Sequence, residues 1–217
     1  MLKDTAIKDT AIISTPNIVM RSPLHRYDLS ARAKSMDASC GVWANEVPLL
    51  GYISLRGNSH QPEFLTAVKS ALGVDLPTKP CAMQALTQSN AIDSILWISP
   101  DEWLIVCQRA QLETLQQSLT MALVGIHSQV VDNSGGYTAV ILHGENATDV
   151  LQHCTVYDVH SLKTHHIVGT TFGKMSFYLC RHGEGYCLVF RRSYADYIWP
   201  LLERSAAPYG LGILSLS

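Results

Sequence analysis

Residues 175–202 read MSFYLCRHGEGYCLVFRRSYADYIWPLL. Two apolar runs, Met175 to Cys180 and Tyr186 to Phe190, flank His182-Gly183-Glu184-Gly185, whose glycines suit a tight hairpin turn. A helix then opens at Ser193 with Asp196 three residues on, and Tyr194, Tyr197, Ile198, Leu201 and Leu202 form one apolar stripe. Pro200 lies about two turns into that helix, where its missing donor and bulky ring predict a bend. Upstream, a strand at Tyr137 to Leu142 closes at His143-Gly144. It leads into a helix with Ala147, Val150, Leu151 and Cys154 on one face, opened by Asn146 and Asp149. Together these give the order β, α, β, β, α.

The same order occurs once more, earlier in the chain. A strand at Tyr52 to Arg56 ends at Gly57, and a helical stripe of Phe64, Ala67, Val68, Ala71 and Leu72 stops at Gly73. The runs SILWIS (Ser94 to Ser99) and WLIVC (Trp103 to Cys107) turn through Pro100-Asp101-Glu102. A helix near Gln111 carries Leu112, Leu115, Leu119 and Ala122 on one side. Gly57 aligns with Gly144 and Phe64 with Leu151 at an offset of 87; Trp103 aligns with Tyr186 and Leu115 with Ile198 at an offset of 83. Self-similarity in this register means duplication of one supersecondary unit. The expected fold is therefore α+β: two related β-α-β-β-α units at residues 51–126 and 127–217, packed as mostly antiparallel sheets with helices covering one side. Residues 1–50, with the KDTAIKDTAI doublet, Pro16, Pro23 and no sustained periodicity, are expected to be an N-terminal arm, either disordered or extended over a partner, and its Ile, Leu, Trp and Met content favours partial docking.

Composition narrows the function. The chain has 217 residues, 47% of them hydrophobic, and a formal charge of −2 without long basic runs, so it has enough apolar material for a core and does not suit nucleic acid or anionic membranes. No apolar run reaches the roughly 18 to 20 residues of a membrane span. The first residues lack the basic, apolar and small-residue pattern of a secretory leader, and a cytoplasmic location is expected. The six cysteines, Cys40, Cys81, Cys107, Cys154, Cys180 and Cys187, contain no CxxC pair and suit reduced thiols.

Residue patterns that carry chemistry are weak. His153, Cys154, His160, His165, His166, Cys180, His182 and Cys187 are metal-capable, yet the close pairs are adjacent or cross a hairpin turn, and structural zinc sites need paired ligands at defined spacing. Cysteines inside strands or on an apolar helix face are structural positions rather than activated nucleophiles. Asp132-Asn133-Ser134-Gly135-Gly136 leads into a strand, so its glycines make a turn between strands and not a phosphate cradle. Asp101-Glu102 and Asp158 read as solvated loop carboxylates. Spacing thus assigns no catalytic, cofactor-binding or metal-binding residue.

Three blocks resemble the gamma subunit of heterotetrameric sarcosine oxidase: SPLH (Ser22 to His25), ILWISPDEWLIV (Ile95 to Val106), and the stretch from VVDNSGGYT (Val130 to Thr138) through VFRRSYADYIWPLL (Val189 to Leu202). That family is similar in fold to the folate-binding portion of glycine-cleavage aminomethyltransferases. The resemblance implies a subunit of an enzyme that oxidatively demethylates sarcosine to glycine, with hydrogen peroxide and methylenetetrahydrofolate as the other products. It implies that FAD, FMN, NAD and tetrahydrofolate belong to the other subunits. It further implies that this chain stabilises the alpha subunit, beside beta and delta subunits, without supplying catalytic groups. An obligate contact of this kind is expected to exceed ~2,000 Å² and be apolar. The alternatives are a free-standing folate-binding or aminomethyltransferase-like protein, and a zinc-stabilised interaction module.

Overall fold

A computed structural model describes residues 20–87 and 92–216. In chain order these form the single helical turn α1 (Leu29–Arg32), β1 (Val42–Val47), β2 (Gly51–Gly57), α2 (Pro62–Leu72), β3 (Met83–Ala85), β4 (Ser94–Ser99), β5 (Glu102–Cys107), α3 (Leu112–Ala122) and β6 (Ser128–Asp132). There follow β7 (Tyr137–His143), α4 (Ala147–Cys154), β8 (Ile167–Phe172), β9 (Met175–His182), β10 (Gly185–Arg191), α5 (Ala195–Ala206) and β11 (Leu211–Ile213). The strands make a five-stranded sheet in the order β3-β4-β5-β2-β6 and a six-stranded sheet in the order β11-β1-β7-β10-β9-β8. Every ladder is antiparallel except β1 with β11.

The duplication is visible in the ladders. Leu55 faces Trp103 across β2 and β5, and Leu142 faces Tyr186 across β7 and β10, so the offsets of 87 and 83 meet at one ladder position. The two edge strands also meet: Ala82 bridges His166, with the Met83 amide donating to the His165 carbonyl at 3.0 Å and the Ile167 amide to the Cys81 carbonyl at 2.8 Å. Cys81 and His165, at matching places in the two units, share left-handed φ values of 61° and 60°. An internal two-fold runs through this bridge.

Two boundaries expected from the sequence shift. Residues 42–47 are not part of an arm, because β1 lies between β7 and β11 and buries Val42, Trp43, Ala44, Asn45 and Glu46. The run VWANEV lacks the two-residue alternation of a half-exposed strand because neighbours cover both of its faces. Residues 128–132 belong with the first unit rather than the second, because β6 follows α3 and pairs with β2. The repeat is therefore β-α-β-β-β-α-β twice, with β1 inserted into the second sheet. The KDTAIKDTAI doublet and Pro16 lie outside the described residues.

The sheets pack face to face over a shared core of Tyr52, Leu96, Leu104 and Val106 from one side and Ala139, Ile167, Cys187 and Val189 from the other. Alternate residues point outward under helices. Ile53, Leu55 and Ile105 meet Phe64 and Val68 of α2 and Leu112 and Leu119 of α3. Val140, Leu142 and Leu188 meet Val150 and Leu151 of α4 and Ile198 and Leu202 of α5. WLIVC and YCLVF are unbroken apolar runs because each strand is covered on both faces. Full burial of each large apolar side chain contributes roughly 1.5–3 kcal/mol. Helix α5 continues to Ala206 beyond Pro200, and it starts at Ala195 because residues 192–194 form a tighter 3₁₀ turn.

Candidate functional site

Two of the three blocks singled out in the sequence converge on one corner of the six-stranded sheet; the PDEW hairpin lies elsewhere. Glu46, 4% exposed, sits at the base of this corner. Its carboxylate accepts from the Leu24 amide at 3.3 Å and from the Thr138 hydroxyl at 2.7 Å, so the inserted strand ties the Ser22–His25 segment to β7. Leu24 is thereby fully buried, while His25 stays exposed with Nδ1 2.8 Å from the Ser22 carbonyl oxygen.

The second wall is the turn between β6 and β7. Asp132 accepts from both the amide and the hydroxyl of Ser134, and the Ser134 hydroxyl in turn accepts from the Tyr52 amide at 3.0 Å. The Asn133 amide donates to the Tyr52 carbonyl at 2.7 Å, and its side-chain amide donates to the Ser54 hydroxyl at 3.2 Å. A side chain at Gly136 would strike the Asn133 carboxamide, whereas Gly135 faces open space.

The third wall is the passage from β10 to α5. The Arg191 guanidinium stacks 4.4 Å above the Tyr137 ring, and Arg192 Nη2 donates to the Arg21 carbonyl at 3.1 Å. Burial raises the Tyr137 hydroxyl above its ordinary range, and Arg191 offsets part of that rise. Between these walls lies a cleft of about 580 Å³ whose lining includes Ser22, His25, Gly135, Arg191, Arg192 and Asp196. A second hollow of about 360 Å³ shares Gly135 and Arg192 and adds Met20, Arg21, Leu49, Leu50 and Arg109. Arg26 at the margin pairs with Asp196 at 2.8 Å. The arrangement is cationic and open, suited to binding an anionic group.

The histidine and cysteine set is dispersed. His153, His160 and the adjacent His165 and His166 are exposed, and buried Cys154 donates to the Ser205 hydroxyl at 3.2 Å. Burial pushes the Cys154 thiol up. Cys180 and Cys187 face each other across β9 and β10 inside the shared core, and the thiol–thiol hydrogen bond that keeps Cys187 protonated, together with burial, holds the Cys187 thiol well above its usual range. His182 meets His143 with ring nitrogens 3.2 Å apart, and burial lowers both imidazoles. Among the described residues no three His, Cys, Asp or Glu side chains gather as a metal group would. Asp101, read as a solvated loop acid, accepts from Ser99 and pairs with Arg56, each at 2.7 Å. Those partners hold its carboxyl below the ordinary range.

Arg191 and Arg192 lie in the VFRRSYADYIWPLL block, whereas Glu46, Arg21 and Arg109 belong to none of the three blocks. One trace of them was present: Arg109 and Arg192 stand 83 residues apart, the register of Trp103 and Tyr186.

Comparison with known proteins gives three results. The pattern of the sarcosine oxidase, gamma subunit family matches residues 56–208. The fold superposes on a chain of the heterotetrameric sarcosine oxidase from Corynebacterium sp. U-96, solved with pyrrole 2-carboxylate, at a TM-score of 0.76 and 20% identity, over 90% of this chain and 99% of that one. It also superposes on the glycine cleavage system aminomethyltransferase T from Bartonella henselae at a TM-score of 0.65 and 14% identity, over 88% of this chain and 58% of that one. No curated protein matches the sequence. Among the described residues no helix is long and apolar enough to cross a membrane.

Proposed function

Because the chain belongs to the sarcosine oxidase gamma subunit family, we propose that it is the non-catalytic gamma subunit of a heterotetrameric enzyme that demethylates sarcosine oxidatively in the cytoplasm. The observation that carries this reading is the family match, which runs through both units of the duplication from residue 56 to residue 208. The other subunits, alpha foremost, supply FAD, FMN, NAD and the tetrahydrofolate site. This chain contributes a rigid surface that holds alpha in place. Its rigidity follows from the core shared by the two sheets, which makes the duplicated units one packing block.

Co-expression with the alpha, beta and delta chains, followed by native mass measurement and a flavin spectrum, tests the reading. The expected result is a four-subunit flavoprotein that loses alpha from the soluble fraction when this chain is omitted. A chain that stays monomeric beside soluble alpha overturns it. Tight binding of tetrahydrofolate by the isolated chain, measured by titration calorimetry, points instead to a free-standing folate-binding protein.

A further inference from the structure

The hollow between the two units is built from matching parts. Arg109 opens the 3₁₀ turn before α3, and Arg192 opens the equivalent turn before α5. Both line the same 360 Å³ space, which therefore straddles the internal two-fold. Arg21 stands beside them, and Arg191 continues the charge into the adjoining cleft. Arg26, Arg32 and Arg56 all have carboxylate partners, yet among the described residues no carboxylate lies within ion-pair distance of Arg21, Arg109, Arg191 or Arg192. Asp132, the acid in the hollow, is oriented by the Ser134 amide and hydroxyl and keeps its negative charge. Asp196 also lines the cleft but is paired with Arg26, so in a chain of net charge −2 four guanidinium groups set against the single carboxylate of Asp132 leave a concentrated, net positive field.

We propose that this trough seats an acidic segment of a partner subunit, with a carboxylate placed between Arg109 and Arg192 and an aliphatic side chain against Met20 and Leu49. Guanidinium groups match carboxylates in paired hydrogen-bond geometry. Exposed apolar groups beside them, Met20 at 52% and Leu49 at 39% exposure, suit a polypeptide better than a free phosphate. The two hollows share Gly135 and Arg192 and so lie side by side, within reach of one extended segment. The inference rests on the gamma-subunit reading and adds to it the surface and the charge of its partner.

The test compares the co-expressed complex carrying wild-type chain with one carrying R109E/R192E, using K163E as a charge control outside the trough. The wild-type complex is expected to weaken as sodium chloride rises from about 50 to 500 mM, as screened charge pairs do. R109E/R192E is expected to raise the dissociation constant about tenfold or more and flatten that salt dependence, while the free variant chain still unfolds in one cooperative transition and K163E behaves as wild type. In the wild-type complex, hydrogen exchange should slow at residues 132–136 and 190–194. If R109E/R192E assembles as tightly as wild type, the inference fails while the family reading stands. If wild-type chain does not assemble at all, the family reading fails and takes the inference with it. If free chain binds inorganic pyrophosphate through Arg109 and Arg192 while assembly ignores both, the occupant is a phosphate and the proposal is overturned.

Discussion

At the scale of single residues, two groups control how the molecule responds to perturbation. Glu46 is a buried carboxylate that accepts from the Leu24 amide and the Thr138 hydroxyl, and among the described residues neither donor has another acceptor. Glu46→Ala strands both, and leaving buried donors unpaired costs about 1–3 kcal/mol each. Urea unfolding should report a loss of about 2–6 kcal/mol for the two donors together, with faster amide exchange at Leu24 as the local signature. Glu46→Gln, which keeps an acceptor, should lose less. The histidine pair makes a pH prediction. Burial lowers the folded-state pKa of His143 and His182, and each His182 charge is further opposed by His143. A depressed histidine pKa means the unfolded chain takes up protons first, so the stability this pair contributes is full above the unfolded value and falls as pH drops below it. Melting temperature should therefore decline from pH 7 toward pH 5, and His143→Gln should flatten that decline. Neither residue advertises its role in the sequence, because a partner 92 residues away for Glu46 and 39 residues away for His143 is fixed by topology alone.

At the scale of elements, the inserted strand β1 is the most consequential. It pairs antiparallel with β7 and parallel with β11, so it joins residues from both ends of the described chain. Gly212 of β11 lies opposite Trp43, and a methyl group there would run into the indole ring. Trp43 is fully buried and its ring nitrogen donates to the Cys40 carbonyl at 3.0 Å, so it has little room to move. Gly212→Ala should destabilise by about 1–3 kcal/mol, the usual cost of overpacking, and should alter the fluorescence of the chain. The hairpins and helices were legible because each carries its own period and turn residues. Strand β1 was not, since a short segment buried on both faces shows no alternation, and Asn45 and Glu46 dilute its apolar character. Asn45 is there to donate to the Leu214 carbonyl at 2.7 Å, a need that exists only once the C-terminal strand has arrived.

At the scale of the whole molecule, the shared core between the sheets makes the two units interdependent. Tyr52 and Tyr137 stack across it with ring centroids 5.6 Å apart, so neither unit can melt without exposing the inner face of the other. Thermal unfolding should appear as a single transition by both near-ultraviolet dichroism and calorimetry. Among the described residues the buried Tyr52 hydroxyl has no hydrogen-bond partner, which is a cost inside this core. Tyr52→Phe is expected to be neutral or to stabilise by up to about 1 kcal/mol, because it removes a desolvated polar group while keeping the ring. A loss larger than that would mean the hydroxyl has a partner in solution.

The sequence by itself determined the α+β class, the duplication and its register, because strand runs, turn glycines and helical stripes are short-range patterns that each half repeats. The family resemblance followed from the same blocks. Only the tertiary structure decided that residues 42–47 complete the second sheet, that β6 closes the first, and that Arg109 and Arg192 face one trough. Those outcomes depend on contacts between residues far apart in the chain, where pairing is chosen by which edges remain open after the local elements have formed, and no local pattern records that choice.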